Sequence, residues 1–567
     1  AGAVALNTTG SSANVLIDNG TTALDITASS VGGNLTLTSG HASGITDSGA
    51  VTVGGNLAAT TDANSGVINL GTLEVDGTVA LVTHRTGNAT VVNDAGLNFA
   101  ASTVGGALSA TATTGNIADS GALAITGTST FITGADGSNI ILDSSSNAFS
   151  NAVTLQAGAG DETFGNITFV DSAAVDIDSS PSGDGDLFIN AGPDGVVGGN
   201  LSITATTGNI TDSNALMIGG TSSFTTSANN ATIALDTDSN AFTGAVTITT
   251  NDDSGADADV TIDGGTTALT LAASTIDGDL TLTSGHASGI TDSGTLTVGG
   301  NLAATTDANN GAINLGTLAV DGTVALATNG NGAATVVNDA GLNFAASTVG
   351  GNLVATATTG NMTDSGALAI TGTTTLTTSA NNATIALNTT TNAFTGAVTI
   401  TTNDDSGNNA AATIDGGTTA LILAASTIDG DLTLISGNAS GITDSGTVTV
   451  GGNLAATTDA NNGEINLGTL AVTGTVALAT HGTGNATIDN GTANLDLAAS
   501  SVGGNLTLTS GNASGITDSG TVTVGGNLAA TTDANNGEIN LGTLAVDGTV
   551  ALATNGNGAA TVVNDAG

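Results

Sequence analysis

The sequence predicts an all-β chain wound as a parallel β-helix, or β-solenoid, and three observations carry the prediction. The string Val-Gly-Gly-Asn-Leu starts at Val31, Val53, Val197, Val298, Val349, Val450, Val502 and Val524, with variants at Val104, Ile276 and Ile428; the marks 31 and 53, 276 and 298, 428 and 450, and 502 and 524 are each 22 residues apart. Self-similarity at a period of this size signals a stacked-repeat architecture. Between the marks apolar and polar residues alternate, the period of a strand with one buried face, and no stretch has the 3.6-residue period of a helix. Aromatic residues make up 2% of the chain and all are Phe, so the core has to be thin enough to fill with Ala, Val, Ile and Leu.

Each element follows from its residues. Leu35-Thr-Leu-Thr38 reads as one strand, Gly44-Ile-Thr-Asp47 as a second and Val51-Thr-Val53 as a third, with Ser-Gly and Gly-Gly-Asn at the breaks. Gly, Asn, Asp and Ser suit those breaks because they accept positive φ or hydrogen-bond the local backbone. Three short strands per period without helices suit a coil that goes once around and stacks on the next one. At about 22–28 residues per coil and a spacing of about 4.8 Å, the 567 residues predict roughly 24 coils reaching roughly 115 Å. Larger blocks recur too: 31–127 near 276–372, 223–255 near 375–407, and Val450 on Val524. Unequal shifts of this kind fit duplication of whole groups of coils, which a one-dimensional stack tolerates. We expect a single continuous solenoid region over 1–567, a segment of a longer or processed chain, since each end falls inside the repeating pattern.

Composition excludes several functions. The chain has no Cys, so disulfides and thiolate chemistry are absent, and with only 4 His a zinc site would have to rest on carboxylates. Forty-eight Asp and Glu against one Arg and no Lys give a formal charge of -47, which argues against nucleic-acid partners and anionic membrane surfaces. No run of about 18 apolar residues is present to span a bilayer. Disorder is excluded as well: 39% of residues are hydrophobic, mean hydropathy is +0.27, 9% are charged and Pro occurs twice.

Internal copies test candidate chemistry, because a residue needed for a reaction should persist when its coil is duplicated. His41 and His286 correspond to Asn438 and Asn512, and His84 and His481 to Asn329 and Asn555; a solvent-facing turn residue explains the exchange, whereas Asn replaces neither a ligand nor a general base. Arg85 corresponds to Gly330, and Glu464 and Glu538 correspond to Val67 and Ala312, which leaves no standing carboxylate pair for glycoside hydrolysis. The chain is therefore expected to be no enzyme and to require no cofactor. Phe99 and Phe344, and Phe242 and Phe394, persist as copies and are expected as core plugs.

Asp recurs in Thr-Asp-Ser at 47, 212, 292, 364, 444 and 518 and in Thr-Asp-Ala-Asn at 62, 307, 459 and 533. The expectation is that these side chains close their own turns by bonding the backbone two residues on. The alternative is calcium, which takes six to eight oxygens. Carboxylate density points to Asp176, Asp178, Asp184 and Asp186 as one candidate set, and to Asp252, Asp253 and Asp263, with Asp257 and Asp259 nearby, as another. In the copy of the second set Asn409 and Ala411 replace Asp257 and Asp259. Calcium is thus a candidate at single coils and not the organising principle. Closely spaced Thr and the Asn-x-Thr triplets, such as Asn34-Leu-Thr36 and Asn88-Ala-Thr90, follow from composition.

Tandem Gly-Asn-Leu-Thr-Leu-Thr-Ser-Gly, Ile-Thr-Asp-Ser-Gly and Leu-x-Val-x-Gly-Thr-Val-Ala-Leu units resemble the repeat shafts of filamentous-haemagglutinin-like bacterial exoproteins, large adhesins exported by two-partner secretion. The resemblance covers essentially the whole chain and implies a right-handed parallel β-helix, export, and an extended fibre at the bacterial surface or in its matrix. Two function classes follow. One is a non-catalytic extracellular fibre or adhesin shaft that self-associates end to end or side by side, its acidic surface bridged by divalent cations. The other is a repeat module that binds cations or glycans and mediates attachment to a cell surface.

Overall fold

The computed structural model describes residues 2–158, 164–178, 187–189, 198–251, 257–403, 407 and 409–565, with Asp178 and 187–189 described by backbone alone. Among the described residues every regular element is a strand and the strand pairings are parallel. The chain forms a β-solenoid of about 23 turns, divided into two compact units, Ala1–Ser284 and Gly285–Gly567.

A turn of the first unit shows how the sequence makes the coil. Leu35–Ser39 is one long strand on one sheet; the chain then bends and continues as two short strands, Ile45–Asp47 and Val51–Val53, on the other. Burial alternates along Leu35–Ser39 and Val51–Val53, and Leu35, Leu37, Ile45, Val51 and Val53 are at 1% exposure or less. Stacking is in register: Leu35 lies over Val15, Leu57 over Leu35 and Val79 over Leu57, so inward positions form columns of branched aliphatics. Such columns exclude water without needing large side chains, and each buried Leu, Ile or Val contributes roughly 1.5–3 kcal/mol. The predicted Phe plugs are confirmed: Phe99, Phe242, Phe344 and Phe394 are fully buried. Phe131 packs edge-on between Phe99 and Phe149, with ring centroids 6.1 Å from each.

Coil length varies widely. Ala89 pairs with Leu108 and Val175 with Ile210, offsets of 19 and 35 residues. The longest offset contains residues outside those described.

The Gly-Gly-Asn corner is explained by a ladder of asparagines. Asn14 Oδ1 accepts the Asn34 N–H at 2.8 Å, Asn34 Oδ1 the Asn56 N–H at 2.9 Å, and Asn56 Oδ1 the Thr78 N–H at 2.9 Å. Each side chain folds over the glycine of the next coil. A Cβ at Gly55 would sit 2.3 Å from Asn34 Oδ1 and 2.8 Å from the Gly33 carbonyl carbon, so close approach, rather than an unusual dihedral, demands glycine there. In Thr-Asp-Ala-Asn-Asn-Gly the demand is conformational: Asn309 and Asn310 have φ of 54° and 55°, a left-handed conformation that Asn tolerates best after Gly.

The long and short sides exchange sheets at intervals. In the first unit the long strands Leu35–Ser39, Leu57–Thr61 and Thr78–Val82 share one sheet, but Thr78–Val82 is covered by the short strands Leu97–Phe99 and Ser102–Val104. On the opposite sheet Ala89–Asn93, a long strand, stacks on Ile68–Val75. The second unit repeats the exchange, with Ala334–Asn338 on Ile313–Val320 and Leu342–Phe344 on Thr323–Ala327. Two long strands follow one another in sequence at each exchange, so the block between exchanges comprises seven half-turns. An odd number of half-turns puts successive blocks on opposite faces.

Candidate functional site

The polar residues that sequence alone offers for chemistry are placed chiefly between coils. Asp47 does not close its own turn, contrary to the expectation for Thr-Asp-Ser. Its Oδ1 accepts the Gly71 N–H at 2.9 Å, and its Oδ2 accepts the Thr72 N–H at 2.7 Å and the Thr72 hydroxyl at 2.8 Å, one coil later. Asp292, Asp444 and Asp518 make the same three bonds to Gly316 and Thr317, Gly468 and Thr469, and Gly542 and Thr543. The reason is the bend between the two short strands: it leaves two adjacent N–H groups facing the coil before, and a carboxylate offers one oxygen to each.

Where that bend is longer, the aspartate holds a buried asparagine instead. Asp119, Asp212 and Asp364 accept from the Nδ2 of Asn147, Asn240 and Asn392 at 2.6, 2.6 and 2.7 Å. Each of these asparagines is at most 1% exposed and accepts a backbone N–H from the coil before through Oδ1, at Leu123, Leu216 and Leu368. Burial pushes the Asp119 and Asp212 carboxyls above the usual carboxylate value, against the lowering effect of these hydrogen bonds. Local turn closure, as expected, does hold at a different set: Asp18, Asp263, Asp415 and Asp489 accept the N–H of the glycine two residues on. Burial raises the Asp415 carboxyl as well.

The histidines sit in turns, and three of them, His41, His286 and His481, accept a backbone N–H through Nδ1, whereas the Nδ1 of His84 is buried without a hydrogen-bond partner. His41 Nδ1 accepts the Ser43 N–H at 3.0 Å, and at the copy Asn438 Oδ1 accepts the Ser440 N–H at 2.8 Å. His481 Nδ1 and Asn329 Oδ1 likewise both accept from the asparagine one coil before, Asn462 and Asn310. At His41 and Asn438 the exchange is explained by each putting one acceptor at the same point. The Asn-x-Thr asparagines are also engaged: Asn34, Asn88, Asn166 and Asn505 all bond the next coil through Oδ1.

The calcium candidates divide. Asp176 lies on the strand Val175–Asp178 and accepts the Thr211 hydroxyl at 3.0 Å; Asp178 ends that strand, its side chain outside what is described. Asp263 accepts the Gly265 N–H at 2.7 Å. Asp184, Asp186, Asp252 and Asp253 lie outside the described residues. Among the described residues no three His, Asp or Glu side chains come together in a way that could hold a metal ion.

What sequence reasoning missed is a groove that recurs where blocks meet. The ladder through Asn14, Asn34 and Asn56 stops at Thr78, and on that edge a groove of about 430 Å³ opens between Val75, Asp76 and Gly77 of one coil and Ala95, Gly96 and Leu97 of the next. In the second unit a groove of about 280 Å³ lies at the copy, between Val320–Gly322 and Ala340–Leu342. A third, of about 250 Å³, lies in the first unit between Phe149, Ser150 and Asn151 and Ala173, Ala174 and Val175. The first two are backed by a buried asparagine. Asn93 accepts the Val75 N–H at 2.9 Å and donates to Val75 O and Gly96 O, and Asn338 makes the same bonds to Val320 and Gly341. At the third groove the same position is Asp171, 5% exposed, which accepts the Phe149 and Ala173 N–H groups at 3.3 Å each. The signal was present in the sequence as two long-strand patterns in succession, but its meaning needed the stacking.

Neither curated proteins nor solved structures give a match to the chain. A family model described as repeats of unknown function, DUF5649, matches residues 12–82, 86–156, 165–249, 257–327, 331–401 and 483–553, well over half of the chain. Several of these matches begin just before one long strand and end at or near another, so the family repeat corresponds to the block of seven half-turns. The interval between the last two matches holds the same order of strands, from Ala412–Asp415 through Leu432–Ser436 and Leu454–Thr458 to Thr475–Ala479, each long strand separated by a short pair. From its matched repeats and the β-solenoid they build, the chain belongs to the DUF5649 repeat family.

Proposed function

We propose that the chain is a non-catalytic structural element, a shaft segment of an extracellular fibre or adhesin at the bacterial surface or in its matrix. The observation that supports this most is the use made of polar side chains: the Asn34 ladder and the Asp47 clamp tie each coil to the next, so residues that elsewhere would do chemistry contribute to cohesion along the stack. Each net hydrogen bond of this kind contributes roughly 0.5–1.5 kcal/mol, and the repeat multiplies it. The likeness to filamentous-haemagglutinin-like shafts adds the expectation of export. Like charge on neighbouring copies opposes side-by-side association beyond what screening over about 10 Å at 0.1 M salt removes, so divalent cations such as calcium are the proposed bridge between shafts. Immunogold electron microscopy on producing cells tests the reading: label along surface or matrix filaments is expected, and label confined to the cell interior would overturn it.

A second reading, a cation- or glycan-binding repeat module for attachment, is favoured by the recurrence of the junction groove at equivalent positions. Saturable binding on a glycan array, competed by the soluble sugar, would support it over a shaft alone.

A further inference from the structure

The grooves at Asp76 and Asp321 agree at every lining position but one: Ala118 stands in the first where Thr363 stands in the second. Each of the two is paired in register with an asparagine of the coil before, Ala118 with Asn98 and Thr363 with Asn343. In the second unit the Thr363 hydroxyl donates to Asn343 Oδ1 at 3.2 Å. In the first unit a methyl replaces that hydroxyl, and Asn98 Oδ1 is buried without a hydrogen-bond partner. The groove there measures about 430 Å³, against about 280 Å³ at the copy. Only the larger falls in the range of about 300–1,000 Å³ that suits small-molecule ligands.

We propose that the groove of the first unit binds one neutral sugar residue, a hydroxyl of which takes the place that Thr363 fills in the copy. A buried acceptor without a donor is unfavourable, and the copy shows which donor suits it, an aliphatic hydroxyl. The rest of the lining fits the same ligand. Asp76 and Asn116 are its exposed polar residues. The Asp76 carboxylate accepts, and Asn116, whose Oδ1 is taken by the Asn139 N–H at 2.8 Å, has Nδ2 left to donate. Ala95, Gly96 and Leu97 form an apolar wall. Sugar hydroxyls both donate and accept, so acceptors and a donor beside an apolar wall suit them, whereas an ammonium group would leave the amide donor unmet and an anion would be repelled by Asp76. The proposal rests on the second reading above, attachment through a repeat module, and assigns its ligand to one groove.

The test is a saturation-transfer NMR titration of the full chain with the methyl α-glycosides of glucose, galactose and mannose, uncharged probes that an acidic surface does not attract in general. Saturable binding of at least one is expected, weakened about tenfold or more in Ala118→Thr, as one added group in a fitted pocket does. That variant carries the residue of the sister groove, and an unchanged melting temperature would show that it folds. Thr363→Ala opens the sister groove and is expected to raise the signal at low sugar concentration. Binding that neither variant alters would overturn the assignment to this groove and leave the attachment reading standing. No binding of any of the three glycosides would overturn the proposal, while the glycan array decides the wider reading.

Discussion

Thr72 is held by Asp47, 25 residues before it: one carboxylate oxygen, Oδ2, accepts both the backbone N–H and the hydroxyl of Thr72, at 2.7 and 2.8 Å. The same relationship joins Asp292 to Thr317, Asp444 to Thr469 and Asp518 to Thr543. It makes the bend of one coil depend on a side chain of the coil before, and a local change should therefore be felt one coil away.

Asp444→Ala is expected to loosen residues 468–469 more than its own turn. Losing the acceptor of two N–H groups and a hydroxyl costs about 1–3 kcal/mol, equivalent to a rise of about five- to 150-fold in amide exchange at Gly468 and Thr469. Hydrogen exchange read by mass spectrometry checks it; protection lost only around 444 would contradict the inter-coil role.

Gly55→Ala should destabilise by about 1–3 kcal/mol, as overpacking does, because its Cβ would meet both Asn34 Oδ1 and the Gly33 backbone. Gly468→Ala is the control, since a Cβ there meets nothing within 4 Å. Thermal melting of the two variants should separate them, and equal melting temperatures would remove the close-approach argument for the corner.

His41→Asn is expected to leave stability unaltered, while His41→Ala loses about 0.5–1.5 kcal/mol. The asparagine keeps an acceptor for the Ser43 N–H, as Asn438 does for Ser440. Chemical denaturation with both variants checks it, and a loss in His41→Asn equal to that in His41→Ala would sink the acceptor explanation.

Acid should stabilise this protein at its buried carboxyls. Burial raises Asp119, Asp212 and Asp415 above the unfolded value of 3.8, so the folded chain takes up these protons before the unfolded chain does. Their contribution is fully present below pH 3.8 and is lost as pH rises through the raised folded values. Asp415→Asn keeps an oxygen for the Gly417 N–H and removes the titration. Denaturation at several pH values and fixed salt should show a smaller fall in stability toward neutral pH in Asp415→Asn than in the parent chain; a steeper fall would refute the sign.

The strands were legible in the sequence because period-two alternation and Gly, Asn and Ser breaks act over a few residues. Leu35–Ser39, Ile45–Asp47 and Val51–Val53 match the three runs read from the residues, and the persistence of Phe99 at Phe344 marked a buried plug correctly. The partner of Asp47 was not legible. Nothing within Thr-Asp-Ser shows that its oxygens reach the coil beyond; the aspartates that do close their own turns, such as Asp263, stand instead before Gly-Gly or Asn-Gly. The junction grooves were hidden for the same reason, although the successive strands Thr78–Val82 and Ala89–Asn93 that cause them are visible once their order is known.

By itself, then, the sequence determined the parallel coil, its aliphatic interior and the conformations of its turns, since these depend on neighbours along the chain. The tertiary structure alone decided which coil each aspartate and asparagine reaches, and that each family repeat closes on a half-turn. Those outcomes depend on vertical register, and register is set by the fit of one whole coil on another.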